Sequence, residues 1–271
     1  MTVKSTLWQN LRIGRFFELR RLFVGLRDVV TYRRCNRARA VGKALPIRVK
    51  GLLAPLWCRP GTSDAQALWD TFGPAYHRPP MPLADVGTVI DLGANVGYTA
   101  VDFANRWPHA QIIAVKLDAA NADLARRNLD PYGPRCSVVH AGVSVHSGMV
   151  TYGGTREYGF RVLSDRQACQ DVREAPTITM DALLDRFSLH HVDFLKMDIE
   201  GAEASVVTPG ARWLRQVGAM MMEWHPPARC EAMAAALSAS GFNVQRVVSH
   251  PRGLWAWKVE GCGPAEIEIR E

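Results

Sequence analysis

From Trp8 to Val30 apolar residues recur at the spacing of a helix. Trp8, Leu11, Leu19, Leu22, Leu26, Val29 and Val30 keep that period, with Arg12, Arg15, Arg20, Arg21 and Arg27 at other positions, which predicts a basic amphipathic helix. Extended stretches follow at Pro46–Val49 and Gly51–Cys58; Pro60-Gly61 turns the chain, and Ser63 or Asp64 caps a helix over Ala65–Phe72. The run Arg78-Pro79-Pro80-Met81-Pro82 excludes helix and central strand, which places a boundary near residue 84. Beyond it strand-like and helical runs alternate: strand Val86–Leu92, helix Tyr98–Arg106, strand Gln111–Val115, helix Asn121–Asn128 and strand Ser137–Ala141. An irregular stretch with a hairpin at Met149–Thr151 leads to strands Val192–Met197 and Ala219–Trp224 and helix Ala228–Ser240. The last pair, Phe242–Val248 and Leu254–Val259 around a His250-Pro251-Arg252-Gly253 turn, reads as an antiparallel hairpin. Such alternation demands an α/β fold with a parallel sheet. The expected organisation is a basic helical and β extension over 1–84 and the sheet domain over 85–271.

The 271 residues carry 33 Lys+Arg against 26 Asp+Glu, a net charge of +7 and a pI near 9.3, which by itself invites a nucleic-acid or membrane-surface partner. The charge is unevenly placed. Residues 1–50 hold 13 basic and 2 acidic side chains, and the rest of the chain 20 and 24. Nucleic acid is therefore not an expected partner of the sheet domain, which also lacks the N-P-P-Y or D-P-P-Y string that receives a flipped base. The arm either packs with its arginines solvated or makes a peripheral contact with an anionic membrane. No apolar run approaches the roughly 18 to 20 residues that cross a bilayer, and no leader pattern opens the chain. The expectation is a cytoplasmic protein, peripheral to the membrane if the arm docks. Cys35, Cys58, Cys136, Cys169, Cys230 and Cys262 are scattered without C-x-x-C spacing and read as free thiols.

Three segments carry candidate chemistry. The first, Asp91-Leu92-Gly93-Ala94-Asn95-Val96-Gly97-Tyr98-Thr99, is a strand end, a glycine turn and a helix start. Gly93 permits the turn and Gly97 a close approach. Asp91 suits a ligand with an ammonium or hydroxyls better than a pyrophosphate. In the second, Lys196, Asp198 and Glu200 alternate along a strand and share a face if it stays extended, with Glu203 following. Acids and a lysine so close form a site candidate, or else a salt bridge followed by acids at a helix start. The third is Glu223-Trp224-His225, where Glu223 and His225 share a face. His225 is a candidate general base, or a metal ligand with Glu223 or Asp198.

Together these strings resemble the FkbM family of S-adenosylmethionine-dependent methyltransferases. Asp91 to Thr99 is similar to its D-x-G-A-N-x-G-x-T turn, Thr179-Met180-Asp181-Ala182-Leu183 to its T-x-D-x-L segment, Lys196 to Glu203 to K-x-D-x-E-G-x-E, and Glu223 with His225 to its E-x-H ending. The likeness runs from about residue 60 to about 248. It implies a class I methyltransferase (Rossmann-like) fold, a seven-stranded sheet with a C-terminal antiparallel hairpin, and methyl transfer to a hydroxyl of a sugar, polysaccharide or glycosylated natural product. On that basis Asp91, Gly93, Asn95 and Gly97, with Ala94, Tyr98 and Thr99, are expected to hold the methionine half of the cofactor. Lys116, Leu117, Asp118 and Asn121 fall at the ribose and adenine, and Val143 and Ser144, with Ala141, at the adenine pocket. Asp198, Glu200 and His225 are the expected catalytic groups, with Lys196 and Glu203 positioning them, and Asp198 and Glu223 are candidate ligands for a Mg²⁺. A homo-oligomer stays open.

One position departs from the family. Where its second strand ends in V-E-P, this chain has Val115-Lys116-Leu117-Asp118. Lysine has only donors, so a lost acid-to-diol contact would cost about 1.5 to 3 kcal/mol. Either Asp118 takes over the ribose, or the protein is a weakened or non-catalytic relative acting as a membrane-surface scaffold, or Lys116 is itself an altered residue. A 2′-phosphate would also suit a lysine, but the turn at Gly93 lacks the glycines that cradle phosphate.

Overall fold

The computed structural model describes residues 17–153, 161–162, 172–226, 229–248 and 250–258. The start of the expected basic helix, from Trp8 to Phe16, lies outside them, as do Cys169, Cys262 and Val259. The chain separates into two units, Met1–Pro74 and Ala75–Glu271, so the division falls ahead of the boundary expected near residue 84. His77 and Arg78 explain the difference: both bond the carboxylate of Asp102, at 2.9 and 2.6 Å, and this fastens the proline-rich segment to the second unit.

In the first unit the expected single helix is broken. A helical stretch over 17–22 ends where Phe23, fully buried, forms an antiparallel bridge with Val49. The chain restarts as α1 (Leu26–Arg37). Asp28 organises the restart, accepting the Gly25 amide at 3.1 Å and the Arg48 amide at 3.0 Å and pairing with the Arg48 guanidinium at 3.1 Å. The buried face of α1 is Asp28, Val29, Tyr32 and Cys35, while Leu26 and Val30, expected to face inward, are 57% and 58% exposed. Strands β1 (Leu45–Ile47) and β2 (Leu56–Cys58) pair antiparallel, and α2 (Asp64–Phe72) follows. The buried carboxylate of Asp64 is held by the Arg59 amide and guanidinium at 2.8 to 2.9 Å.

In the second unit Val89, Ile90 and Leu92 of β3 (Thr88–Leu92) have no exposure, as suits a strand covered on both faces. On one side lie β4 (Gln111–Lys116) and then β5 (Cys136–His140), and on the other β10 (Val192–Met197) and β11 (Val217–Glu223), all parallel. The sheet closes with β13 (Gly253–Trp257) antiparallel to β11, and β12 (Asn243–Arg246) antiparallel to β13, giving seven strands in the order β12-β13-β11-β10-β3-β4-β5. This is the class I methyltransferase topology, hairpin included. Ile90, Ile113, Leu195 and Met197, each with no exposure, sit at its centre; each contributes on the order of 2 kcal/mol by burial. Helices α3 (Tyr98–Arg106) and α4 (Ala119–Leu129) follow β3 and β4, α5 (Met180–Arg186) and the short α6 (Glu203–Val206) flank β10, and α7 (Cys230–Ser238) follows β11.

The stretch read as irregular holds a second sheet. Strands β6 (Gly142–Val143), β7 (Gly148–Gly153), β8 (Arg161–Val162) and β9 (Arg173–Ile178) pair in the order β6-β9-β7-β8. Thr179 then caps α5, accepting the Ala182 amide at 3.1 Å.

Candidate functional site

Strand order reverses between β3 and β10, and at such a switch point the carboxyl ends of the strands part to leave a crevice. Two turns meet there. Gly93 has φ +78, and a Cβ on it would collide with the carbonyl of Asp198, the residue just past β10. Only glycine lets the two strand ends touch, and the Asp198 amide bonds Leu92 O at 3.0 Å. Asn95, with φ +50, accepts a bond from the Asn121 amide group at 2.9 Å, tying the turn to α4. Gly97 enters α3 with φ +84, and a Cβ there would lie 3.0 Å from Ala125.

Charges are layered beneath and above this junction. Asp91, fully buried, accepts the Thr99 hydroxyl and forms an ion pair with Lys196 Nζ at 3.5 Å. Lys196 also donates to Gly93 O and to Asp198, both at 3.3 Å. Burial alone would lower its pKa, yet Asp198 and Asp91 outweigh it and hold the ammonium far above the ordinary range. The extended face expected for Lys196, Asp198 and Glu200 does not form. The strand stops at Met197 and Glu200 takes the left-handed region with φ +55, so Lys196 stays below while Asp198 and Glu200 turn to the crevice.

Glu203 organises that loop from beneath. Its carboxylate has no exposure and accepts the amides of Ile199 and Gly201, each at 3.0 Å, and it holds His225 Nδ1 at 3.0 Å. His225 lies just past β11, and its Nε2 is 3.5 Å from Glu223, 3.7 Å from Glu200 and 3.9 Å from Asp198. Burial disfavours the charged ring, but these carboxylates, Glu203 first, outweigh it and raise the pKa from 6.5 to about 10. The base with a pKa near neutrality expected at His225 is therefore an imidazolium, because several acids converge on it. Asp198 is pushed up by burial, but Lys196 and His225 prevail and keep it ionised. For Glu200, burial and then the charge of Asp198 raise the pKa.

The crevice is a solvent-open cleft of about 420 Å³ whose lining includes Gly93, Val115, Lys116, Leu117, Ala141, Gly142 and Val143 on one side and Asp198, Ile199, Glu200 and Ala202 on the other. Of the residues expected at the cofactor, Gly93, Lys116, Leu117, Ala141 and Val143 line it. Asp91, Asn95, Gly97, Thr99 and Asn121 hold the glycine turn and the starts of α3 and α4 beside it, and Ala94, Tyr98 and Ser144 adjoin these segments. Asp118, the proposed substitute for a ribose-binding acid, is buried as the cap of α4. It accepts the Asn121 amide at 2.9 Å, the Tyr152 hydroxyl at 3.2 Å and the Arg173 guanidinium at 2.8 Å. Lys116 is only 5% exposed, and among the described residues its ammonium has no hydrogen bond or ion pair. Burial lowers its pKa against the opposing charges of Asp198 and Glu200.

As a metal centre, the grouping that geometry allows is Asp198, Glu200 and His225, whose donor atoms come within 4.8 Å of one another. The Asp198 and Glu223 pair expected for Mg²⁺ is not that grouping, and a set containing imidazole is unlike the all-oxygen shell Mg²⁺ favours. Sequence reading passed over His250, whose Nε2 lies 3.5 Å from Glu223, and over Tyr152 and Arg173, which secure Asp118 from strands with no readable pattern.

A family model described as the methyltransferase FkbM domain matches residues 91–244. Among curated proteins the chain is 24% identical to the AMB antimetabolite synthetase AmbE of Pseudomonas aeruginosa, over 62% of this chain and 10% of that protein. The chain thus spans about a tenth of that relative's length. Among solved structures it is similar to precorrin-6y C5,15-methyltransferase from Geobacter metallireducens, at 14% identity over 65% of this chain and 82% of that one, with a TM-score of 0.40. It is also similar to a predicted O-methyltransferase from Agrobacterium tumefaciens, at 16% identity over 69% and 81%, with a TM-score of 0.38.

Proposed function

The chain belongs to the FkbM methyltransferase family, and on that footing we propose that it transfers the methyl group of S-adenosylmethionine to a hydroxyl of a saccharide or glycosylated natural product. The observation that carries this reading is the pair of carboxylates, Asp198 and Glu200, facing the cleft in front of the His225 imidazolium. The cleft fits the cofactor in two respects: Leu117, Ala141 and Val143 offer an apolar slot for a base, and Asp198 and Glu200 offer negative charge to a cation. It departs in a third, since Lys116 presents a donor where ribose hydroxyls would find an acceptor.

The cofactor supplies an electrophilic methyl on a sulfonium. The protein's part is alignment and proton removal, because a sugar hydroxyl is a poor nucleophile. As the hydroxyl oxygen bonds the methyl carbon, the carbon–sulfur pair returns to sulfur and the hydroxyl proton must leave. Glu200 is the acceptor for it: burial and Asp198 raise its proton affinity, whereas Lys196 holds Asp198 ionised. Asp198 and Glu223 orient neighbouring hydroxyls, and His225, fixed by Glu203, faces the acids with Nε2 and offsets their mutual repulsion by its charge. Lys196 and His225 already supply cationic charge to the acids, so the reading requires no Mg²⁺.

Methyl-labelled cofactor offered with panels of sugars, amines and thiols tests the proposal. Label should pass to hydroxyl acceptors, and Glu200→Gln should lower kcat at least about a hundredfold with little change in cofactor affinity. Transfer to amines or thiols alone would overturn it, and no cofactor binding at millimolar concentration would favour the non-catalytic scaffold. A second reading concerns the first unit, for which we infer a peripheral contact with anionic lipid. Phe17, Val24, Leu26 and Val30 are 62%, 49%, 57% and 58% exposed beside exposed Arg20, Arg21, Arg27 and Arg34. Binding to phosphatidylglycerol vesicles but not to phosphatidylcholine vesicles supports it; equal binding to both, or to neither, refutes it.

A further inference from the structure

Lys116 lines the cleft without a part in the chemistry just described. Its side chain is buried and its ammonium unpaired among the described residues, with Asp198 and Glu200 acting on it only through space. The cleft is open to solvent at Lys116, and the charges of Asp198 and Glu200 favour its ammonium form against the burial that disfavours it. Its field acts on whatever the cleft holds. S-adenosylmethionine and its demethylated product, S-adenosylhomocysteine, make the same contacts with a pocket of this kind and differ by one methyl and one positive charge. A fixed charge in the cleft therefore acts on the difference between them.

We propose that Lys116 discriminates by charge in the cofactor cleft, weakening the cationic methyl donor relative to the neutral product. The inference rests on the reading that this cleft takes S-adenosylmethionine. Asp198 and Glu200, lining the cleft with it, pull in the opposite direction, so Lys116 sets how far their attraction for the cation is cancelled. Two unit charges roughly 8 to 10 Å apart at an effective dielectric near 20 change an affinity by roughly fifteen- to thirtyfold, and solvent in an open cleft screens part of this. With Lys116 in place the protein is then more sensitive to the thioether product than it would be without that charge.

Titration calorimetry on the full chain tests this with three ligands: the methyl donor, the thioether product, and a donor analogue with an ammonium in place of the methylsulfonium. Lys116→Met keeps an unbranched side chain and removes the charge. It should raise the donor-to-product affinity ratio about tenfold, and the analogue-to-product ratio alike, while Lys116→Arg leaves both ratios within about twofold. Lys116→Gln provides the same neutral comparison if the methionine variant does not fold. An equal change in all three affinities on neutralising Lys116 overturns the inference while the cofactor reading stands. Binding of neither donor nor product by any of the proteins overturns the cofactor reading, and the inference with it.

Discussion

Replacing Glu203 by glutamine tests the electrostatic organisation of the site, because this one buried carboxylate serves three donors. Oε1 receives the Ile199 amide and His225 Nδ1, and Oε2 the Gly201 amide, each at 3.0 Å. Glutamine keeps one acceptor oxygen. Placed where Oε1 stands, it retains Ile199 and His225 through a neutral acceptor and turns its amide group toward the Gly201 N–H, donor against donor. Losing one charge-assisted bond costs about 1.5 to 3 kcal/mol, and roughly halving the other two brings the total to about 3 to 6 kcal/mol. Typical domains have only about 5 to 15 kcal/mol in hand. The pH dependence makes the test specific. The folded pKa of His225 is raised from 6.5 to about 10, burial opposing and Glu203 leading the causes that raise it. Its stabilisation is therefore fully present below 6.5 and lost as pH rises through about 10. The gap between wild type and Glu203→Gln should be widest near pH 6 and narrow above pH 10. Urea unfolding at several pH values reads the gap, and imidazole NMR titration should find the His225 pKa lowered by at least about one unit in the variant. A gap constant with pH, or an imidazole that still titrates near 10, would refute the assignment of Glu203 as its principal partner.

Gly93→Ala combines a left-handed φ of +78 with a collision at the Asp198 carbonyl; it should cost about 3 kcal/mol or more and abolish any cofactor-induced rise in Tm. Asp118→Asn breaks the Arg173 ion pair and weakens the α4 cap, so Tm should fall by the equivalent of about 1 to 3 kcal/mol with cofactor affinity within about twofold of wild type. A tenfold loss in calorimetry would instead put Asp118 in the cleft. Asp102→Ala leaves His77 and Arg78 without their shared carboxylate and should cost about 3 to 5 kcal/mol at neutral pH. Burial tends to raise the Asp102 pKa, but His77 and Arg78 hold it down at about 2 from 3.8. Its contribution is thus present above 3.8 and lost as pH falls through about 2, and denaturant midpoints of the two proteins should converge over that range.

Much of the sheet domain was legible because its central strands are covered on both faces. Such strands read as near-continuous apolar runs, and Val86–Leu92, Gln111–Val115 and Val192–Met197 all sit within a residue or two of β3, β4 and β10. The glycine turn was legible for a related reason, since its geometry depends on local φ values. Where pairing is distant in sequence the reading failed. Nothing near Phe23 announces its bridge to Val49, so a helical period was carried straight through the break. Strand β9 hides behind Pro176 and an exposed Glu174, and β7 was reduced to a hairpin tip because its partner could not be recognised.

Asp118 and His225 show two different ways in which a site can be misread. Asp118 carried a readable signal: an aspartate three residues before Asn121 is an N-cap in waiting, whereas its strand parity with Lys116 made it one candidate for the ribose, and in the fold it caps a helix that starts at Ala119 rather than at Asn121. An earlier helix start would have shown the cap. His225 offers no such remedy. The E-x-H string puts one acid beside the ring, but Glu200 arrives from the loop after β10 and Glu203 from the first turn of α6, and only the fold brings all of them within 3.0 to 3.9 Å of the imidazole together with Asp198 and Glu223. Whether a histidine is a base or an imidazolium depends on how many carboxylates surround it and how deeply they are buried. A motif names the histidine, but its proton is set by neighbours that the motif does not bring together.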